Sequence, residues 1–166
     1  MMRETSLLIT DGFDDEESVR RLFRAYTEEF VQLMPEFAEY LALQGFEKEL
    51  ANLKSKYQKP EGDLLLAKID GVAVGCVAMK RMNASDVEMK RLYVEPAYRR
   101  LGIGRQLVEA IIESAKRAGY RRMFLDTQPV LKAAVALYEK SGFTFTSRYN
   151  DSPIAQTLFM VKDLGL

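Results

Sequence analysis

The chain has 166 residues, 48% of them apolar, which favours one domain with a sizeable core. Its 24 basic and 24 acidic residues cancel, and this balance argues against a nonspecific nucleic-acid binder. The sequence contains no histidine and one cysteine, which excludes a Ser-His-Asp triad, a Cys-His dyad, an intrachain disulfide and nearly every zinc site. Any catalytic acid or base is therefore a carboxylate, a tyrosine, a lysine or water, and we expect no metal.

The chain carries no sign of a membrane or secretory segment. No stretch approaches the roughly 20 apolar residues that span a bilayer, and residues 1–6 lack the apolar core of a signal peptide. The single cysteine, Cys76, lies within the apolar run 72–79 and is expected to be a buried core thiol. Together these features predict a cytoplasmic protein without a membrane partner.

The first third of the chain predicts a short strand followed by helices. Residues 7–9 form the strand, and Asp14 is the expected N-cap of the first helix, with Glu17 at the capping-box position. Pro35 ends or kinks this helix, whose apolar stripe consists of Val19, Leu22, Phe23, Tyr26, Phe30 and Leu33. A second helical stretch ends before Pro60 and carries Phe46, Leu50 and Leu53.

The middle of the chain changes to the pattern of an antiparallel meander. The apolar runs 64–69 and 72–79 are joined by Asp-Gly, a strong hairpin signal. A polar turn at 81–86 leads to the next strand, 87–94.

The last third alternates helices and strands. An amphipathic helix from Ile103 to Ala115, with Gly119 as its C′ residue, lies between strands 87–94 and 123–127, and this crossover predicts that the two strands run parallel. A further helix over 131–138 precedes a final strand pair, 143–146 and 157–161. We therefore predict a mixed α+β fold in one domain, 1–166, with a central twisted sheet of about six to seven strands and helices on both faces.

The segment 94–107 contains three arginines and two glycines where a strand gives way to a helix. A helix N-terminus offers unpaired N–H groups and partial positive charge, glycine lets an anion approach the backbone, and arginine binds phosphate oxygens. The segment is thus either a pyrophosphate cradle or a basic loop that contains glycine. It lacks the spacing and lysine of a Walker A loop and the third glycine of a dinucleotide fingerprint.

Two motifs together resemble those of the GNAT superfamily of N-acetyltransferases. Val94-x-Pro96 followed by Arg99-x-x-Gly102-x-Gly104 is similar to the Arg/Gln-x-x-Gly-x-Gly/Ala motif of that superfamily. Downstream, the stretch 134–143 resembles its Ala-x-x-Leu-Tyr-Glu-Lys-x-Gly-Phe signature. The order of elements also fits, so the resemblance covers nearly the whole chain.

The resemblance implies acetyl-coenzyme A (acetyl-CoA) as the acyl donor. The strand before the first motif would diverge from its parallel neighbour, the backbone of Leu92 and Val94 would bind the pantetheine arm, and backbone N–H groups from Arg99 through Arg105 would hold the pyrophosphate. Many members have an asparagine that contacts the cofactor where this chain has Leu131. The expected cofactor-binding residues are Leu92, Tyr93, Val94, Arg99, Arg100, Leu101, Gly102, Ile103, Gly104, Arg105 and Ala134.

Two residues are candidates for acid–base chemistry. Tyr138 occupies the position of the family's general acid, where a phenol could protonate the departing thiolate; alternatively it extends an apolar helix stripe into the core. Glu88 matches the catalytic glutamate of histone acetyltransferases in this superfamily and could deprotonate the amine directly or through a water. Alternatively, Glu88 forms a surface ion pair with Lys90 or Arg91. The backbone N–H of Leu92 is the expected oxyanion donor.

The acceptor side is expected to be formed by the N-terminal helices, the loop 82–86 and the segment after Phe145. Residues 149–151 are the better candidates there, Asp126 is interpreted as structural, and four aromatic residues are more often core than pocket: Tyr26, Phe30, Phe46 and Tyr57. The leading hypothesis is an N-acetyltransferase in which a primary amine attacks acetyl-CoA directly through a tetrahedral intermediate. The alternative is a non-catalytic coenzyme A or acyl-CoA sensor on the same fold. The acceptor amine is not identified, and a homodimer is an expectation from the family.

Overall fold

A computed structural model describes residues 6–165 and arranges them as a seven-stranded sheet with helices on both faces. The strands are β1 (Leu7–Asp11), β2 (Asp63–Ile69), β3 (Val72–Arg81), β4 (Asp86–Val94), β5 (Arg122–Thr127), β6 (Thr144–Thr146) and β7 (Leu158–Asp163). The helices are α1 (Glu16–Leu33), α2 (Phe37–Leu43), α3 (Phe46–Ala51), α4 (Leu53–Tyr57), α5 (Ile103–Arg117) and α6 (Lys132–Lys140). None of these helices is long and apolar enough to cross a bilayer.

The sheet has the order β1-β2-β3-β4-β5-β7-β6, and β4 and β5 are its one parallel pair. All other neighbours in the described residues run antiparallel. The predicted meander, the crossover through α5 and the parallel relation of 87–94 to 123–127 are confirmed. The prediction of a mixed α+β fold is confirmed as well.

Alternating side chains of the central strands divide the core between the two faces of the sheet. One cluster lies under α1–α4 and includes Leu66, Cys76 and Tyr93, while the other lies under α5 and α6 and includes Val77 and Met123. Cys76 is fully buried, as expected, and its thiol donates to the carbonyl of Arg91 at 3.3 Å. Successive side chains of a strand point to opposite faces, and helices cover both faces of this sheet. The central strands therefore contribute to both core clusters.

The helical region before β2 differs from the prediction at two points. Asp14 lies in a short 3-10 turn, and the N-cap of α1 is Asp15, whose carboxylate accepts a hydrogen bond of 3.2 Å from the Ser18 N–H. The second helical stretch is divided at Asn52, which caps α4, and the unpredicted helix α2 precedes it. A single turn of apolar spacing within α2 gives too little periodicity to indicate a helix.

A bulge in β4 bends the strand in the centre of the sheet. The pairing of β3 with β4 shifts between Cys76 and Ala78, and Arg91 adopts a left-handed backbone conformation with φ of 62°. Bulges increase local twist and bend the strand that carries them. Parallel pairing of β4 with β5 extends only from Asp86 to Glu88, so the two strands separate beyond that point.

Candidate active site

The separation of β4 from β5 opens a cavity beside the free edge of β4. Residues 89–94 have no partner on β5, so backbone N–H and C=O groups on that edge of β4 form no hydrogen bonds with β5. Leu92 on β4, Ala134 and Tyr138 on α6, and Tyr26 and Phe30 on α1 all line the cavity. A narrow cavity with both apolar and polar side chains, bordered by free backbone polar groups, suits an extended chain that carries amides.

The segment expected to bind an anion presents consecutive backbone donors between β4 and α5. Within the described residues, no protein acceptor contacts the N–H groups from Arg100 to Arg105, and the N-terminus of α5 has no side-chain cap. Gly102 is the N-cap, with φ of 80° and open space where a Cβ would stand. Open space at Gly102 and consecutive unpaired N–H groups mean that the residues present fit a pyrophosphate.

The three arginines of this segment have different surroundings. The Arg99 guanidinium donates to the carbonyl of Val94 at 2.9 Å and to Glu29 at 2.8 Å. Arg105 pairs with Glu109 on the exposed surface of α5 at 3.0 Å, while Arg100 is exposed. Arg99 therefore holds the segment against α1, and it also occupies the carbonyl of Val94, whose backbone was expected to bind the pantetheine.

The Tyr138 side chain is buried but its hydroxyl has no protein partner among residues 6–165. The ring packs edge-on against Phe143, with 6.0 Å between centroids, and the residue lines the cavity. Burial raises the pKa of Tyr138, with smaller contributions from Tyr26 and Asp126. The phenol thus keeps its proton across the physiological range, as a proton donor must. Both sequence interpretations fit, because the ring packs in the core while the hydroxyl is free.

Glu88 lies on β4 where pairing with β5 ends, and 14% of its side chain is exposed. Its Oε2 accepts a 2.5 Å hydrogen bond from the hydroxyl of Tyr149, and its Oε1 lies 3.7 Å from Nζ of Lys90. An ion pair with Lys90 was one of the two interpretations, but the pair is largely buried rather than on the surface. Arg91 pairs with Glu49 and not with Glu88.

A second carboxylate, Asp126, lies in the cavity wall and forms a polar cluster that the sequence did not predict. Its Oδ2 accepts a hydrogen bond from the hydroxyl of Tyr40 and another, 2.7 Å long, from Nδ2 of Asn150. The interpretation of Asp126 as structural misses its position in the cavity wall. Asn150 follows Tyr149 in the segment after β6, so this segment contributes to both carboxylate sites, as expected.

Two further polar residues of the cavity were also missed. Lys90 lines it, and burial, reinforced by neighbouring Arg91, lowers the pKa of Lys90 to about 8. Gln128 is 3% exposed; its Nε2 donates to Thr157 at 3.0 Å while its Oε1 has no partner. A buried acceptor without a partner carries a desolvation cost that a donor on a ligand would relieve.

Two of the four aromatic candidates for the acceptor pocket are core residues. Phe46 packs beneath Arg91, with 5.4 Å from the guanidinium carbon to the ring centroid. Tyr57 is fully buried against Phe23. Among residues 6–165, no three His, Cys, Asp or Glu side chains lie close enough together to hold a metal ion.

The motifs and the separated parallel strands define an acyltransferase of the GNAT type, and the comparisons agree. The model of the acetyltransferase (GNAT) family matches residues 19–143, and the chain belongs to that family. An uncharacterized N-acetyltransferase of Schizosaccharomyces pombe is 40% identical over 140 residues, which cover 83% of this chain and 84% of that protein. An IAA acetyltransferase of Azospirillum brasilense is 33% identical, covering 81% of this chain and 90% of the relative.

Solved structures show the same fold. A GNAT acetyltransferase from Staphylococcus aureus aligns with a TM-score of 0.77 at 19% identity, covering 96% of this chain and 99% of that one. The paia N-acetyltransferase of Thermoplasma acidophilum, in complex with coenzyme A, aligns with a TM-score of 0.71 at 21% identity, covering 95% and 99%. The expected resemblance is confirmed, and family membership favours an acyltransferase over a sensor without turnover.

Proposed function

We propose that this protein transfers the acetyl group of acetyl-CoA to a primary amine. The observation that carries the proposal is the gap between β4 and β5, with Tyr138 in the wall of the cavity there and the free N–H groups of 100–105 shortly after β4 in the chain. A thioester donor matches these features, because its anionic head suits the N–H groups, its amide-containing arm suits the free edge of β4, and its thioester suits the cavity. The neighbour from Thermoplasma acidophilum, solved with coenzyme A, supports the donor class.

The chain's own residues divide into those that hold the donor and those that handle protons. Backbone N–H groups from Arg100 to Arg105 would bind the pyrophosphate, with Arg100 adding an exposed positive charge. The free edge of β4, including Leu92, would pair with the amides of the arm. Ala134 would contribute an apolar contact because it lines the cavity, whereas the side chain of Ile103 is buried in the core and leaves only its backbone N–H for the donor.

Three side chains would act on the reacting groups: Glu88 and Asp126 on the ammonium, and Tyr138 on the thiolate. The carboxylates of Glu88 and Asp126 attract the acceptor ammonium, and Glu88 takes its proton directly or through a water. The amine nitrogen then attacks the thioester carbonyl, and the N–H of Leu92 stabilises the oxyanion. As the carbon–sulfur bond breaks, Tyr138 donates its proton to the thiolate, and the second proton of the amine nitrogen passes through water to restore the phenol. The products are then an amide, coenzyme A and the proton that Glu88 took.

A panel of amines tested with thiol detection examines the proposal. We expect free coenzyme A to appear only when a suitable amine is present, with one acetylated amine formed per thiol released. Calorimetry with acetyl-CoA alone should show binding without an acceptor. Binding without acetyl transfer to any member of a broad amine panel would contradict the proposed activity, and absence of binding would contradict the donor site.

A further inference from the structure

A large basic basin lies beside the candidate active site, on the same face of the sheet. It has a volume of about 880 Å³ and is formed by α3, α4, the segment before β2, and the turn between β3 and β4. Six of its lining residues are cationic and two are acidic: Lys48, Lys54, Lys56, Lys59, Lys80 and Arg81 against Glu49 and Glu61. Because the whole chain has zero formal net charge, this excess is a local feature.

Half of these cations have no acidic partner of their own. Lys56 pairs with Glu49 at 2.6 Å, Lys59 pairs with Asp11, and Arg81 lies 4.0 Å from Glu61. Lys48, Lys54 and Lys80 are exposed and form no ion pair with any of residues 6–165. Burial, opposed by Glu49 and reinforced by Arg91 and Lys80, lowers the pKa of Lys56. Positive charges that disfavour one another in this way attract an anion.

The basin and the cavity of the candidate active site share one wall residue. Gln44 lines both concavities, and its Oε1 accepts a 2.8 Å hydrogen bond from the buried Arg91 guanidinium. Lys80 on β3 is paired directly with Glu88 on β4, so the two side chains lie on the same face of the sheet. A bound molecule could therefore reach from the carboxylates of the active site into the basin.

We propose that the acceptor is a peptide segment whose reactive amine lies within a few residues of several acidic side chains. The proposal rests on the proposed acetyltransferase function and names its acceptor class. The carboxylates of Glu88 and Asp126 receive the ammonium, while Lys48, Lys54 and Lys80 receive the acidic side chains. One small carboxylate cannot engage cations that come from α3, α4 and β3 together, and the volume lies at the upper end of the range for small-ligand pockets.

The test compares three tetrapeptide amides with a free N-terminus: Ala-Glu-Glu-Ala, Ala-Gln-Gln-Ala and Ala-Lys-Lys-Ala. At low ionic strength we expect kcat/KM to be about tenfold or more higher for the acidic peptide than for the neutral one, and lowest for the basic one. About 0.5 M salt should remove most of the difference, because exposed charges are screened. Equal kcat/KM for the three peptides would overturn the proposal.

A double charge reversal tests whether the basin is the source of the preference for the acidic peptide. Lys48→Glu with Lys54→Glu, which leaves Lys80 opposite Glu88 intact, should abolish the preference for the acidic peptide, leaving kcat/KM for the neutral peptide and the Kd of acetyl-CoA within about twofold. The control, Lys116→Glu with Arg117→Glu on α5, makes the same change in net charge outside the basin and should keep the preference. If both double variants lose it equally, the basin is not the binding surface.

Direct binding separates failure of this proposal from failure of the proposed function. Fluorescence anisotropy of a labelled acidic peptide should show binding to the wild type and weaker binding to the basin variant, with or without turnover. Turnover of small amines without such binding would overturn the acidic-peptide proposal and leave the acetyltransferase standing. Citrate competing as strongly as the peptide would mean that the basin takes a small anion, which also overturns it.

Discussion

The hydroxyl of Tyr149 donates a 2.5 Å hydrogen bond to Oε2 of Glu88 and thereby fixes the segment after β6 against the centre of the sheet. The contact orients one carboxylate oxygen, while Lys90 lies 3.7 Å from the other. Burial, followed by the charge of Glu88, raises the pKa of Tyr149, so the phenol remains a donor at any physiological pH. Glu88 is thus held in one orientation by its neighbours, as a base that acts on a positioned substrate requires.

Glu88→Gln should lower kcat by about 10²–10⁴-fold at neutral pH, the usual contribution of a general base. Raising the pH should restore part of the loss, because more of the amine is then already free. The control is Tyr149→Phe, which keeps the carboxylate and removes one hydrogen bond, and it should cost only about tenfold. A large loss in Asp126→Asn together with a small, pH-independent loss in Glu88→Gln would assign the base to Asp126.

Local signals explain why the unpaired N–H groups at the start of α5, where we expect the donor to bind, could be predicted from the sequence. Gly102 needs its positive φ to end the loop, and the free N–H groups that follow are a property of any helix start. The apolar spacing of α5 then places that helix start on the sheet without any distant information. The unpaired N–H groups before and at the start of α5 thus depend on the backbone geometry of about a dozen neighbouring residues.

The segments of the proposed acceptor side could be named from the sequence, but the contacts of Asp126 could not, because they join distant parts of the chain. Tyr40 bonds to Asp126 across 86 positions, and Asn150 bonds to Tyr40 across 110. The apolar residues of helix α2, which carries Tyr40, show no recognisable helical spacing. The sequence therefore did not predict that Tyr40 lies near β5. The burial of Lys90 also depends on the bulge at Arg91, and no pattern in the local sequence predicts that bulge.

The anion cradle can be tested by substitutions at the two ends of α5. Gly102 has φ of 80° and Gly119 has φ of 90°, and neither has a heavy atom within 4 Å of an added Cβ. Aspartate at either position should therefore cost similar backbone strain, of order 1–3 kcal/mol. Only Gly102→Asp should also repel the pyrophosphate, with Kd for acetyl-CoA raised at least about tenfold by calorimetry.

Gly104 extends the same test without the backbone strain. A Cβ there would meet Leu137 at 3.4 Å, an ordinary contact, so Gly104→Ala should fold normally. Gly104→Asp, alone or combined with Gly102→Asp, should weaken acetyl-CoA much more than Gly104→Ala does. Equal affinity in wild type, Gly102→Asp and the double variant would show that the cofactor binds elsewhere.

Lys90 should make the stability of the protein depend on pH above neutrality. Burial and Arg91 lower its pKa to about 8, while Glu88 and Asp126 oppose the shift and Lys56 adds to it. Between pH 8 and 10.5 the unfolded chain binds more protons than the folded one, so the contribution of Lys90 to stability rises with pH.

Lys90→Met should therefore increase the free energy of unfolding by about 1–3 kcal/mol at pH 7, and this advantage should shrink towards pH 10. Denaturant unfolding at several pH values measures the difference from wild type. The exposed Lys140→Met serves as the control, and its difference from wild type should not change over this range. A Lys90→Met advantage that stays constant with pH would mean that packing, and not the buried charge, is responsible.

The general-acid role can be tested by Tyr138→Phe, because the ring and the hydroxyl of this residue serve different purposes. The ring packs against Phe143 and would remain, whereas the hydroxyl has no partner to lose among the residues that the structure describes. The substitution should lower kcat by about 10²-fold or more, with Tm and the Kd of acetyl-CoA nearly unchanged, the pattern of an interaction made in the transition state. An acyl donor whose thiol is more acidic should narrow the gap between variant and wild type, since that thiolate leaves with less help. Early unfolding with normal turnover per folded molecule would instead make Tyr138 a core residue and leave protonation of the thiolate to water.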